Sequence, residues 1–134
     1  MEKIVWEDEF SVGVEELDLQ HKKIIKIINL LIDKPRISVK SQKISSALDQ
    51  LIYYVSEHFL LEEHMLQEKG YQNLIEHSKK HTTYCNKISD FYTDTLNRKD
   101  EVPLELLQFL TRWWTNHILH EDMKYKSLFE ERIS

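Results

Sequence analysis

The chain has 134 residues, 41% of them hydrophobic and 31% charged, with a formal net charge of -5 and one cysteine, Cys85. These values predict a single domain over residues 1–134 that folds without a disulfide, and they argue against nucleic acid as a partner because no dense patch of lysine and arginine is present. Apolar runs fall far short of the ~20 residues that cross a bilayer, and residues 1–8 lack the apolar core of a signal peptide. We therefore expect a cytoplasmic protein without a membrane partner. We also expect a monomer.

The first 16 residues show no helical period and predict an extended arm. Apolar residues alternate with polar ones in this segment, as they do where a chain lies on an apolar surface. Gly13 interrupts the alternation. The apolar residues of the arm are Trp6, Phe10, Val12 and Val14.

Four later segments repeat apolar residues every three or four positions, which predicts four amphipathic helices. Pro35 is expected to end the first helix, and Pro103 suits the first turn of the fourth. Ser41 is the predicted N-cap of the second helix and Gly70 its C-cap. Short connections and few chain breakers favour an all-α fold, an up-down-up-down four-helix bundle. The predicted helices cover residues 17–33, 42–69, 72–96 and 103–120.

Each predicted helix carries one apolar face that is expected to form the core. The charged tail from Lys124 to Ser134 is predicted to be a short helix or turn. The inward residues are Ile24, Ile25, Ile28, Leu31 and Ile32 in the first helix; Leu48, Leu51, Ile52, Val55, Phe59 and Leu66 in the second; Leu74, Tyr84, Ile88 and Phe91 in the third; and Leu106, Leu107, Leu110, Trp113, Trp114 and Ile118 in the fourth.

Histidines and one glutamate fall on these same apolar faces. An ionised carboxylate in an apolar core is costly unless it is paired or bound to a metal. Any one histidine in a core is usually bonded to a backbone carbonyl, but a whole set would need a separate partner for each. Two cations at the bundle centre explain the set together, because residues four apart point to one site. The residues are His21, His58, Glu62, His77, His81 and His117.

Asp122 is a less obvious member of this set. It follows His117 by five residues, which in a regular α-helix places the two about 140° apart. Both can reach one site only if the helix opens, so we predict a π-bulge or an end to the regular helix between them. His64 is expected to face away from the site, and His120 to be exposed or to contact a ligand rather than a metal.

Several motifs resemble those of the hemerythrin family, and in particular its single-domain bacterial members. The resemblance covers nearly the whole chain, and the order and spacing of its seven ligand positions make it specific. It rests on Trp6 with residues 11–14, Asp18-Leu19-Gln20-His21, His58-Phe59 with Glu62-Glu63, Gly70-Tyr71 with His77 and His81, and Trp113 with His117-Ile118 and Asp122.

The resemblance implies two iron ions with a bridging oxo or hydroxo group and dioxygen as the ligand. One iron would be held by three histidines and the other by two, with Glu62 and Asp122 bridging them, and dioxygen would bind at the open position of the second iron. The first set is His77, His81 and His117, and the second is His21 and His58.

Three departures from the family pattern leave every ligand position intact. Gln72 stands where a proline is common, and Leu66 where a methionine is common, with Met65 beside it. Trp114 replaces a frequent leucine of the oxygen pocket, which puts oxygen affinity and release rate in question. The residues expected around that pocket are Ile24, Phe59, Trp113, Trp114 and Ile118.

The ligand types favour reversible oxygen binding over catalysis. Five imidazoles and two carboxylates suit iron, whereas ferritin-like diiron oxidases use more carboxylates, which favour high-valent iron. We therefore expect an oxygen carrier or store and no enzyme. The alternatives are an oxygen or redox sensor that acts through an unidentified protein partner, and a diiron enzyme with peroxidase, nitric oxide or iron oxidation chemistry. A purely structural bundle, or occupancy by zinc or manganese, also stays open.

Overall fold

The computed structural model describes residues 2–34 and 36–130, apart from the side chains of Val55 and Glu130. The expectations for Pro35, for the Val55 side chain and for the tail beyond residue 130 lie outside these described residues. Within them the chain forms helices and no strand. The long helices are α1, Glu15–Asp33; α2, the unbroken succession Gln42–Tyr53, Tyr54–Phe59 and Leu60–Glu68; α3, Leu74–Leu96; and α4, the succession Val102–Arg112, Trp113–Glu121, Asp122–Tyr125 and Lys126–Glu130.

The four helices pack as a ring, which confirms the predicted four-helix bundle. α1 contacts α2 and α4, and α3 contacts the same two helices from the other side. The predicted apolar faces meet at the centre, with Ile28, Leu51 and Leu110 fully buried. The inward placement of Ile52 is wrong, since that side chain is 43% exposed: its neighbour Leu51 takes the inward position, about 100° away around the helix. No described helix is long and apolar enough to cross a membrane.

Two stretches of the bundle are wound as π-helix. In α4 the stretch is Trp113–Glu121, which confirms the irregularity predicted between His117 and Asp122. In α2 the stretch is Tyr54–Phe59, and the sequence analysis did not predict it. A π turn closes its hydrogen bonds between residues five apart, so it changes which side chains share a face.

The N-terminal arm lies on the bundle as predicted, but it is not extended throughout, because Asp8–Phe10 forms a short 3-10 turn. The helix α1 begins at Glu15 rather than at residue 17. The Ile4 backbone N–H donates to Asn29 Oδ1 at 2.8 Å, and Asn29 Nδ2 donates to the Ile4 carbonyl at 2.8 Å. The Asp18 carboxylate accepts from the Val12 backbone N–H at 2.9 Å and from the Ser11 hydroxyl at 2.5 Å. These bonds dock the arm on the first turn of α1 and on its C-terminal half.

The predicted caps form as expected. The Ser41 hydroxyl accepts from the Lys43 N–H at 3.1 Å at the start of α2. At its end Gly70 adopts φ 67°, and Tyr71 N–H donates to the Leu66 carbonyl at 3.0 Å, the bond of a Schellman motif. Pro103 lies in the first turn of α4.

The ends of α2 and α3 give a matched test of backbone strain. Arg98 takes φ 55° just after α3, the role that Gly70 has after α2. Replacing Arg98 by glycine relieves a left-handed conformation that a Cβ disfavours, and is expected to stabilise the fold by roughly 0.5–1 kcal/mol. Gly70→Ala is expected to cost about 1 kcal/mol, since a Cβ there meets no atom within 4 Å and only the backbone is strained. Thermal or urea unfolding measures whether each variant raises or lowers the free energy of unfolding. A destabilised Arg98→Gly would contradict this account.

Candidate metal centre

The seven side chains proposed from the sequence meet at the centre of the bundle. Each helix contributes at least one of them, and all are buried. They form two groups that share Glu62, and within each group one nitrogen or oxygen per residue lies within 4.8 Å of all the others. The groups are Glu62, His77, His81 and His117, and His21, His58, Glu62 and Asp122.

Glu62 turns its two oxygens to different histidines. His77 Nε2 lies 2.5 Å and His81 Nε2 3.0 Å from Oε1. His58 Nε2 lies 3.2 Å from Oε2, and the Tyr125 hydroxyl donates to the same oxygen at 2.8 Å. The carboxylate therefore spans the two groups and is held in place by a buried phenol.

Asp122 divides its oxygens in the same way. Its Oδ1 lies 3.0 Å from His117 Nε2 and 3.1 Å from His77 Nε2, and its Oδ2 lies 3.2 Å from His21 Nε2. The π-helix over Trp113–Glu121 makes this possible. Because π turns bring residues five apart to nearly the same side, Asp122 and His117 face the centre together.

Two neighbouring residues orient the histidines, and the sequence analysis assigned them no role. Glu63 Oε2 accepts from His81 Nδ1 at 2.8 Å, and Glu63 Oε1 accepts from the Ser78 hydroxyl at 2.7 Å. Gln20 Oε1 accepts from His58 Nδ1. A proton held on Nδ1 leaves the Nε2 lone pair free toward the centre. Gln20 precedes His21 and Glu63 follows Glu62 in the motifs quoted above, and these positions could have indicated their role.

The charge of the centre follows from its burial and its carboxylates. Burial raises the pKa of Glu62 and Asp122, but the surrounding histidines outweigh burial and hold both pKa values below their ordinary range. Burial lowers the pKa of His58 and His117, which keeps these rings neutral. Burial also acts to lower the pKa of His77, but its bonds to both carboxylates prevail and raise it to about 10. Two ionised carboxylates at 0% exposure thus draw positive charge to this point.

The donor atoms fit iron. Buried nitrogen and oxygen atoms without a hydrogen bond are rare in native proteins, yet several converge here with no such bond to any described residue. Lone pairs that converge in this way are satisfied by a cation, and imidazoles with carboxylates suit iron. The atoms that face the centre are Nε2 of His21, His58, His81 and His117, and both carboxylate oxygens of Asp122.

Aromatic rings cover the histidines and keep water away. Phe59 stacks on His81 with ring centroids 3.7 Å apart, and Trp113 stacks on His117 at 3.9 Å. Ile24 and Ile118, also proposed for the pocket, are buried. Trp114, the fifth proposed pocket residue, is buried as well, and its ring packs edge-on against Phe10 of the arm at 5.3 Å.

The other histidines and the cysteine lie apart from the seven candidate ligands. His64 is exposed and pairs with Glu68 at 3.0 Å, as its helix position predicted. His120 is exposed too. Cys85 is a half-buried free thiol on α3.

Comparisons with known proteins agree with this geometry. The model of the family described as "Hemerythrin HHE cation binding domain" matches residues 12–129, a range that holds all seven side chains. A bacteriohemerythrin of Pseudomonas paraeruginosa is 33% identical over 134 residues, 100% of this chain and 86% of that protein. A myohemerythrin of Theromyzon tessulatum is 34% identical over 90% of this chain and 89% of its own length. A hemerythrin-like protein of Naegleria gruberi is 35% identical, with coverage of 92% and 91%.

The bond from His81 to Glu63 predicts a measurable effect on metal binding. Glu63→Ala removes the acceptor that orients the ring and is expected to weaken metal affinity about 10- to 100-fold. Glu68→Ala, an exposed glutamate on the same helix paired with His64, is the matched control and should leave the affinity unchanged. Competition with a chelator, followed by metal analysis, measures both variants. Equal affinities in Glu63→Ala and Glu68→Ala would remove Glu63 from the site.

Proposed function

The chain belongs to the hemerythrin family, and on that premise we propose that it is a non-haem diiron protein that binds dioxygen reversibly for its transport, storage or delivery. One observation carries the proposal: each buried carboxylate directs one oxygen to the group of His77 and the other to His21 or His58. Such a carboxylate is placed to bridge two metal ions. The cytoplasmic location and the monomeric state expected from the sequence stay predictions.

The two groups offer unequal numbers of histidines. His77, His81 and His117 would hold one iron, and His21 and His58 the other, with Glu62 and Asp122 shared between them. When bound, the iron pair supplies the two electrons that reversible binding of dioxygen requires. An iron held by two histidines would have one protein ligand fewer than an iron held by three, so the exchangeable position would lie on the side of the centre that faces α1 and α2.

The surroundings of the centre favour retention of a ligand over its reaction. Ile24 and Ile118 are buried beside the histidines, and Phe59 and Trp113 cover two of the rings. This apolar shell limits the access of water and protons, which otherwise promote irreversible oxidation. The ligand set of five imidazoles and two carboxylates carries little negative charge, which favours ferrous iron.

A diiron enzyme is the second candidate, and one feature favours it. A cleft of about 350 Å³ opens between α3 and α4, and the edges of Trp113 and His117 line it together with Lys80 and Arg112. A small substrate seated there would lie against a ligand of the three-histidine group. The cleft does not reach the two-histidine side, where the exchangeable position would lie, so we rank this function below oxygen binding.

Metal analysis and oxygen titration test the proposed function directly. The purified protein is expected to hold two irons per chain. After reduction without air, admission of oxygen should produce a visible absorption band that vanishes when oxygen is removed and returns when it is readmitted. A single irreversible oxidation, or steady turnover with peroxide or nitric oxide, would contradict reversible oxygen binding and favour a diiron enzyme. Absence of bound iron would reject both functions.

A substitution of Ile24 tests how far the apolar side chains around the centre protect bound dioxygen. Ile24→Thr places a hydroxyl one turn from His21 and shortens the buried side chain, so it should admit water and shorten the lifetime of the oxygen-dependent band in air several-fold. Leu19→Thr, at a site on α1 that is 50% exposed, is the matched control. The decay of absorbance at constant oxygen measures the lifetime, and thermal unfolding checks that both variants fold. Equal lifetimes would show that Ile24 does not limit water access.

A further inference from the structure

Three buried polar atoms next to the metal centre lack a hydrogen bond to any described residue. They are Tyr54 Oη, Tyr84 Oη and Trp113 Nε1. Their rings form one cluster: Tyr54 and Tyr84 have centroids 5.7 Å apart, and Tyr84 and Trp113 4.5 Å apart. Because buried polar groups are almost always hydrogen-bonded, a partner other than the described residues is expected for each of these atoms.

Tyr54 is the member of this cluster that borders the two-histidine group. It precedes His58 by four residues in the π-helical stretch of α2, and the two rings stack with centroids 4.4 Å apart and planes 14° apart. Its ring also meets Phe59 edge-on at 5.2 Å, and only 5% of the residue is exposed. The side chain therefore extends beside the ligand His58 inside the bundle.

The hydroxyl of Tyr54 is an available hydrogen-bond donor. It lies in a cluster of aromatic side chains that includes Phe59 and Tyr84, and it makes no hydrogen bond to a described residue. A phenol carries one O–H group that can donate.

We propose that Tyr54 donates a hydrogen bond to the small ligand that binds on the side of His21 and His58, and thereby slows its release. The inference rests on the proposed function for the identity of that ligand. A donor placed over an otherwise apolar pocket stabilises a ligand atom that gains negative charge on binding. It discriminates against small ligands that lack such an acceptor.

Tyr84 supplies the matched control. Its hydroxyl is buried and without a hydrogen bond to a described residue, like that of Tyr54. Its ring packs against Phe109 and Trp113 at 5.4 and 4.5 Å. It lies beside the ring of Tyr54 at 5.7 Å, but unlike Tyr54 it makes no ring contact with His21 or His58.

Removal of each hydroxyl in the iron-loaded protein tests the proposal. Tyr54→Phe is expected to release dioxygen roughly 3- to 10-fold faster, the effect of one lost hydrogen bond. Tyr84→Phe should release it at the wild-type rate. Stopped-flow mixing of the oxygenated protein with an oxygen scavenger measures the rate, and iron analysis confirms equal loading. Equal rates in Tyr54→Phe and the wild type would overturn the role of Tyr54 and leave the proposed function standing.

A second readout does not depend on oxygen. Azide added to the oxidised, iron-loaded protein provides a small anion with an acceptor atom, and its stretching band is followed in H2O and D2O. If Tyr54 donates a hydrogen bond, the azide stretching band shifts between H2O and D2O in the wild type and in Tyr84→Phe, and it does not shift in Tyr54→Phe. The azide affinity is expected to fall roughly 3- to 10-fold in Tyr54→Phe alone. A shift that persists in Tyr54→Phe would overturn the proposal. This result holds even if the protein fails to bind oxygen, which would reject the proposed function alone.

Discussion

The structure depends on two carboxylates that are buried in an apolar core. Glu62 and Asp122 are wholly inaccessible and ionised, a state that costs several kcal/mol unless positive charge or strong hydrogen bonds compensate it. Five histidines and one tyrosine meet that requirement from all four helices. The carboxylates are therefore the reason that the bundle centre is polar, and their negative charge favours a bound cation there.

The backbone is adapted to these carboxylates. Regular α-helix would turn Asp122 away from His117, and the π-helical stretch of α4 brings them to one face. The stretch in α2 includes His58 and stacks its ring on that of Tyr54. Both distortions lie beside proposed ligands and leave the other two helices regular, so the helix geometry is relaxed only where the site needs it.

Around the ligands the chain combines two kinds of neighbour. Gln20 and Glu63 hold protons on the far nitrogens of their histidines, which sets the direction of the lone pairs. Phe59 and Trp113 stack on other ring faces and exclude water. Under the proposed function, neighbours of the first kind would favour tight metal binding and those of the second a reversible reaction. Tyr54 adds a buried hydroxyl to the apolar part.

The sequence alone determined the helices, their caps and the seven candidate ligands, because these depend on local periodicity, short-range hydrogen bonds and fixed spacings. It predicted the opening of α4 from the five-residue step between His117 and Asp122. It did not reveal the π-helical stretch at Tyr54–Phe59 or the exposure of Ile52. Only the tertiary structure decided which carboxylate oxygen faces which histidine and which buried hydroxyls make no hydrogen bond to a described residue. Those relations are distances across the bundle, and they are set by how four helices pack together rather than by the residues along any one of them.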